Sequence, residues 1–328
     1  MRDRVRRSAE KIPVRTNAAV SLVIFPLMIA LLVAIEGASG WAMRGLLIAL
    51  FCLGGQSLFS LIHEAEHDKL FRDQRLNYHG GVLLSALFPG SFSILKAGHL
   101  IHHGRNRTAD EMIDFYSEGE GRWPKTLRYY TVMGGAIWAG VPLLTALLAF
   151  LPNRLFDAPG DRERGTQLSN YLVFLADIKP WRLRYEAFVT AGLWALLITT
   201  LGLGLPTLVT YLIFGVVWSS QQFIYHVRTP LHLIEGSWNL HMWRPFEKAL
   251  LNYNYHLTHH RFPNAPWDAL PALADEAPWR GYMKTWATLA LPPRPHRYAW
   301  PQEVMMSGPL PEPTPAEFQK PTPAGGGE

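Results

Sequence analysis

Thirteen histidines stand in this chain of 328 residues, and eight fall into three groups: His63 and His67; His99, His102 and His103; His256, His259 and His260. Spacings of three and four residues put side chains on one face of a helix, so each group can aim two or three imidazoles at one point. Imidazole suits iron, zinc and copper, and eight ring nitrogens exceed what one ion accepts, so the pattern predicts two metal ions. The single cysteine, Cys52, lies inside an apolar run. That removes thiolate sites and intrachain disulfides, and leaves His and carboxylate as the ligands. His226 ends another apolar run, after Gln222, Phe223, Ile224 and Tyr225, and reads as a further ligand rather than a snorkelling cap. His79, His232, His241 and His296 stand alone and read as ordinary hydrogen-bonded or interfacial residues.

A metal-bound imidazole usually gives its second ring N–H to a carboxylate or a carbonyl. Glu64, Glu66, Asp68, Asp110, Asp114 and Glu235 lie near the groups and are candidates for that role. Lys96, Arg105, Arg107 and Arg261 could attract an acidic head group or an electron carrier, or could simply face anionic lipid.

The elements that must position these residues are apolar runs of near-spanning length. Residues 18–35 and 45–62 are each 18 uncharged residues, and together they read as a helical hairpin. Residues 187–225 run 39 residues without a charge, enough for two spans, with Gly202, Leu203, Gly204, Leu205 and Pro206 suited to the turn between them. A shorter run, 82–95, contains Pro89 and Gly90 and reads as re-entrant or interfacial. Six of the first sixteen residues are Arg or Lys against two acids, which predicts a cytoplasmic N-terminus and ranks nucleic-acid binding below membrane insertion. Two such runs in close succession also favour spanning helices over a cleaved secretory signal.

From an inside N-terminus, each hairpin returns the chain to the cytoplasmic face, where His63 and His226 follow. The run 131–151 would break this parity if it crossed once, so it is expected to be a shallow, kinked in-and-out element. The fold class expected is an all-α integral membrane protein: two transmembrane helical hairpins plus re-entrant or interfacial helices under a cytosolic histidine-rich cap. The organisation expected is a basic cytoplasmic N-terminus (1–16), a membrane catalytic domain (17–300) and a disordered tail rich in Pro and Gly (301–328).

Two rivals belong to other classes. A zinc-binding membrane hydrolase or receptor needs three or four protein ligands, fewer than are clustered here. A metal transporter would carry its ligands deep within the spans, whereas these groups lie at span ends.

The motifs His63-Glu-Ala-Glu-His67, His99-Leu-Ile-His102-His103 and His256-Leu-Thr-His259-His260, in this order and spacing from about residue 17 to residue 271, resemble the membrane fatty acid desaturase and hydroxylase superfamily. The segment from Asn254 to Pro263 is especially similar to that family's third histidine box. The resemblance implies a non-haem di-iron centre held by the eight boxed histidines, with His226 at the place of a ninth ligand, and dioxygen as co-substrate. In some members an Asn four residues before that ninth ligand holds a water on one iron, and Gln222 stands at that spacing here. The first box is one residue shorter than in acyl-CoA desaturases of the stearoyl type, which points away from acyl-CoA as the form of the substrate.

The activity implied is fatty acid desaturation. Hydroxylation, oxidative decarboxylation to a terminal alkene, and carotenoid ketolation or hydroxylation belong to the same chemistry. The implied setting is a multi-pass protein of a bacterial inner membrane with its active site cytoplasmic. With no cysteine pairs in the chain, electrons must come from a separate donor, a ferredoxin or a cytochrome b5-like protein with its reductase.

Overall fold

The computed structural model describes residues 11–108, 111–116, 119–152, 178–274 and 278–296. The expected disordered tail, most of the basic N-terminus and Asp110 lie outside them. The described residues are mostly helical: α1 (Val14–Gly37), α2 (Trp41–Glu66), α3 (Gln74–Leu87), α4 (Phe92–Arg105), α5 (Arg122–Thr131), α6 (Ile137–Phe150), α7 (Pro180–Leu201), α8 (Leu205–Ile224), and the short α9 (Arg244–Ala249), α10 (His256–Arg261), α11 (Leu270–Leu273) and α12 (Tyr282–Ala287). Four short strands form two parallel pairs: β1 (Phe115–Tyr116) with β4 (Arg294–Pro295), and β2 (Asn239–His241) with β3 (Trp279–Gly281).

Among the described residues, four stretches are long and apolar enough to cross a bilayer: α1, α2, α5–α6 taken as one, and α8. The run expected to give two spans splits into two helices, of which only α8 is by itself long and apolar enough to cross. Gly202, in the left-handed conformation, caps α7, and α8 begins at Leu205. The first turns of α7 carry Arg182, Arg184 and Glu186, so only residues 187–201 are uncharged.

Helix α2 is the centre of the bundle. Its C-terminal half is buried without a break from Gly54 to Glu66, whereas α1 buries only one stripe. In lipid, helices associate by close packing rather than by escape from water, and small residues permit the approach. Gly55 does this against the ring of Phe214 on α8, which any Cβ would strike. Phe51 meets Tyr211 and Phe214 edge-on, while Phe59 meets Trp218 with ring centres 5.0 Å apart. At the far end, the Glu36 carboxylate accepts from the backbone N–H groups of Gly204 and Thr207, tying α1 to the α7–α8 turn.

The expected re-entrant element is a broken helix. α3 and α4 bend by 99° across Phe88–Ser91. Ser91 caps α4 by accepting from Ile94 N, and Glu186 of α7 braces the bend from outside. That buried carboxylate accepts from Tyr78 Oη of α3 (2.8 Å), the Ser91 hydroxyl, Ser93 N (2.9 Å) and Ser93 Oγ (2.6 Å). A carboxylate at the start of α4 also complements the helix dipole.

The stretch 122–150 is kinked. A π-turn at Val132–Ala136 contains Gly135 at φ 99°, where an added Cβ would sit 3.1 Å from the backbone of Gly215 in α8. Before the kink, Tyr129 packs near Phe223 at the end of α8, with ring centres 5.8 Å apart. After it, Trp138 stacks on Tyr211, Thr145 Oγ1 accepts from Ser91 N, and Arg184 donates to the carbonyls of Ala149 and Leu151.

Candidate metal centre

Each histidine group sits where its element ends or begins, so the rings project from several directions into one buried volume. His63 is in the last turn of α2, and His67 caps it. His99, His102 and His103 lie on α4, while His256, His259 and His260 form most of α10. His226 follows α8. Their ring nitrogens gather into two sets: His63, His67, His99, His103 and His259 in one, and His102, His226, His256 and His260 in the other. Within each set the candidate ligand atoms all lie within 4.8 Å of one another. All eight boxed residues and His226 are therefore brought together.

The assignment forks inside α4 and α10. His102 and His103 are sequence neighbours and go to different sets, as do His259 and His260. Successive residues on a helix point about 100° apart, so one short helix serves two sets. The sets are adjacent, since the rings of His103 and His260 lie 4.5 Å apart, centre to centre.

Donor chemistry fits metal. Nε2 atoms face one another at 2.7 Å (His67 and His99), 3.0 Å (His103 and His99), 2.9 Å (His103 and His259) and 2.9 Å (His226 and His256). Nε2 of His63 and of His260 is buried with no hydrogen-bond partner among the described residues, a state that ordinarily costs free energy unless something else occupies the lone pair. Burial is the largest cause of the depressed pKa values in the third box: that of His259 falls to about 3, and those of His256 and His260 fall well below the usual range. Neighbouring imidazoles push in the same direction. Neutral imidazole is the form that binds metal.

Two rings have their second nitrogen fixed. His102 Nδ1 lies 2.6 Å from Glu111 Oε2, and His226 Nδ1 lies 3.0 Å from the carbonyl of Gly236. With Nδ1 donating in each case, Nε2 is the free lone pair.

Glu111 was not among the sequence candidates. It lies in the segment after α4, off any helical spacing from the box, and only the return of that segment toward α4 brings it to His102. Four of the carboxylates chosen for nearness in sequence have other partners. Glu64 accepts from Trp267 N, and Asp68 pairs with Lys96 and accepts from Asn77. Asp114 forms a buried pair with Arg107 and accepts from Arg228 N, while Glu235 takes both arms of Arg261. Both oxygens of Glu66 are buried without a hydrogen bond, one of them 3.8 Å from His99 Nδ1, too long to count as one. Gln222 accepts from Tyr253 Oη at 2.8 Å, and the Tyr253 ring lies against His63 and His256.

The isolated histidines stand apart from the two sets. His79 bonds Tyr185, His232 accepts from two backbone N–H groups in its own turn, His241 stacks on Trp279, and His296 N bonds Tyr116 O. Beside the sets, a crevice of about 10 Å³ is lined by Ser60, His63, Tyr253, His256, His259 and Trp267, among others. That is room for a single water-sized guest.

Apolar helices long enough to span, joined to two converging sets of imidazoles at helix ends, define a membrane protein of the histidine-box class. Residues 39–288, more than half of the chain, match the fatty acid desaturase family, and the chain belongs to it. No curated protein matches the chain.

Proposed function

We propose that this protein is a membrane-embedded di-iron oxidoreductase that uses dioxygen to desaturate a fatty acyl chain, with His63, His67, His99, His103 and His259 holding one iron and His102, His226, His256 and His260 the other. The observation that carries the reading is the convergence of nine imidazoles into two adjacent sets. Two iron ions bound there supply the reductive activation of dioxygen that removing hydrogen from an unactivated methylene requires.

The chain's own residues do the rest. Glu111 and the Gly236 carbonyl hold the Nδ1 protons of His102 and His226, so that both present Nε2. The rings of Tyr253 and Tyr225 wall the site, Tyr225 stacking on His256 at 4.6 Å and Tyr253 being held by Gln222. Burial of every ring of the four-histidine set but His102, which is half-buried, keeps bulk water from the reacting atoms. Glu66, next to His99 and without a partner, is a candidate to accept that ring's Nδ1 proton after a small shift.

The packing of 122–150 supports a topology to go with this function. The end of α5 packs near the end of α8, and α6 leads back to the start of α7. Both ends of α7–α8 opposite their turn thus meet one kinked element, which supports an in-and-out path for 122–150. The three boxes then share the cytoplasmic face of a bacterial inner membrane with the N-terminus, where a separate ferredoxin or cytochrome b5-like donor reaches them.

Metal analysis of purified protein is expected to give about two irons per chain, and the fatty acids of cells carrying the gene to gain products short of two hydrogens. His102→Ala, His226→Ala, His256→Ala and His260→Ala should each lose turnover and iron together. One zinc per chain, or turnover retained in all four variants, would overturn the proposal. A product that has gained one oxygen or lost carbon dioxide would replace desaturation with hydroxylation or decarboxylation.

A further inference from the structure

A cavity of about 670 Å³ lies between the start of α1 and the start of α3, away from the histidine sets. Its volume falls within the range of small-molecule sites. Three cations, Lys11, Arg15 and Arg72, line it together with Val14, Phe71 and Leu76. None of the three cations has an ion-pair or hydrogen-bond partner among the described residues. The one acid among the described lining residues, Asp73, uses its Oδ1 on the first turn of α3, accepting from Arg75 N and Leu76 N.

The walls are fixed to each other rather than merely adjacent. The buried Asn17 side chain of α1 donates to the carbonyls of Lys69 and Leu70, both at 3.0 Å. Asn77 of α3 accepts from Leu70 N and Phe71 N and donates to Ala65 O. Trp267 Nε1 donates to Asn17 Oδ1 and closes the brace from the far side. A cavity held in this way exists before its ligand arrives, so little ordering has to accompany binding.

Its chemistry is that of an amphipathic anion. Unpaired cations want phosphate or carboxylate, and the apolar wall at the point where a span begins wants hydrocarbon. Basic pockets at the ends of spanning helices hold phospholipid head groups on this principle. We infer that this cavity binds the phosphate of an anionic phospholipid, with Lys11, Arg15 and Arg72 on the phosphate and the acyl chains running along α1. The site rests on the membrane placement of α1 and is independent of the metal centre.

The test uses the full-length protein, delipidated in a neutral detergent and offered phosphatidylglycerol or phosphatidylcholine, with bound lipid counted by native mass spectrometry. Wild-type protein is expected to retain one phosphatidylglycerol in preference to phosphatidylcholine. Each of Lys11→Gln, Arg15→Gln and Arg72→Gln should weaken retention about 5-fold, and the triple variant about 100-fold, at about 1 kcal/mol per cation near the surface. The three side chains are exposed, so the variants should fold, and an unchanged cobalt(II) stoichiometry at the histidine sets confirms that they do. Removing two cations elsewhere, as in Arg280→Gln with Lys284→Gln, should leave retention unchanged. Retention unaffected by the triple variant, or lost equally in the distant double variant, overturns the inference. Displacement of the lipid by millimolar inorganic phosphate overturns it too, because the site would then recognise the free ion rather than the lipid.

Discussion

The contact most open to quantitative attack is the one between Glu111 and His102. At 2.6 Å, with the His102 and Glu111 side chains 23% and 15% exposed, it is a short, largely shielded hydrogen bond to a ring that faces the four-histidine set. Removing an outer partner of a metal-bound imidazole typically costs 10- to 100-fold in metal affinity, or about 1.4 to 2.7 kcal/mol. Glu111→Ala should fall in that range, and Glu111→Gln, which keeps an acceptor oxygen but not its charge, should lie between Ala and wild type. The loss should fall on one set of two, because no atom of Glu111 bonds to a ring of the five-histidine set among the described residues. Cobalt(II) titration of metal-free protein in detergent, followed by its visible absorption, resolves the two sites. An unchanged affinity in Glu111→Ala, or an equal loss at both sites, would mean that this carboxylate does not orient His102.

Asp114→Ala should destabilise the fold by about 3 to 5 kcal/mol, since it strands the buried guanidinium of Arg107, and thermal unfolding in detergent measures this; a loss under 1 kcal/mol would mean that Arg107 finds enough in its other acceptor, the Thr229 carbonyl. Gly135→Ala places a Cβ 3.1 Å from the backbone of Gly215 at a φ of 99°, and should cost about 1 to 3 kcal/mol in the same assay, whereas an unchanged melt would show that the kink can move. Metal-free protein should lose stability as pH falls below about 6.5, because the unfolded chain then binds protons that His259, with its folded pKa near 3, refuses; a melting temperature flat from pH 7 to pH 5 would contradict the burial of these rings.

Local spacing made the histidine geometry readable in advance, because residues three and four apart on a helix share a face wherever that helix sits. The turn at Gly202–Gly204 and the break near Pro89 and Gly90 were readable for a similar reason: these residues act on their own backbone. Glu111 and Glu186 could not be found this way. One reaches its histidine by the path of a loop, and the other is a carboxylate in the first turns of an apolar helix whose purpose appears only when α3 and α4 fold against it. Asp68 shows the converse error. It directly follows a boxed histidine, yet a φ of 59° turns it toward Lys96. Nearness along the chain is a poor guide to the partners of a side chain at a helix end, where the backbone changes direction.

The forked placement of His102 with His103, and of His259 with His260, links the fates of the two sets. A rotation of α4 or α10 that improves the aim of one ring spoils that of its neighbour, so neither centre can be tuned alone by turning a helix. Insertion or deletion of a single residue ahead of either pair would swing both rings by about 100° and turn them out of both sets at once. Adjustment of one centre without the other is thereby left to the groups outside the rings, and Glu111 is the clearest of these.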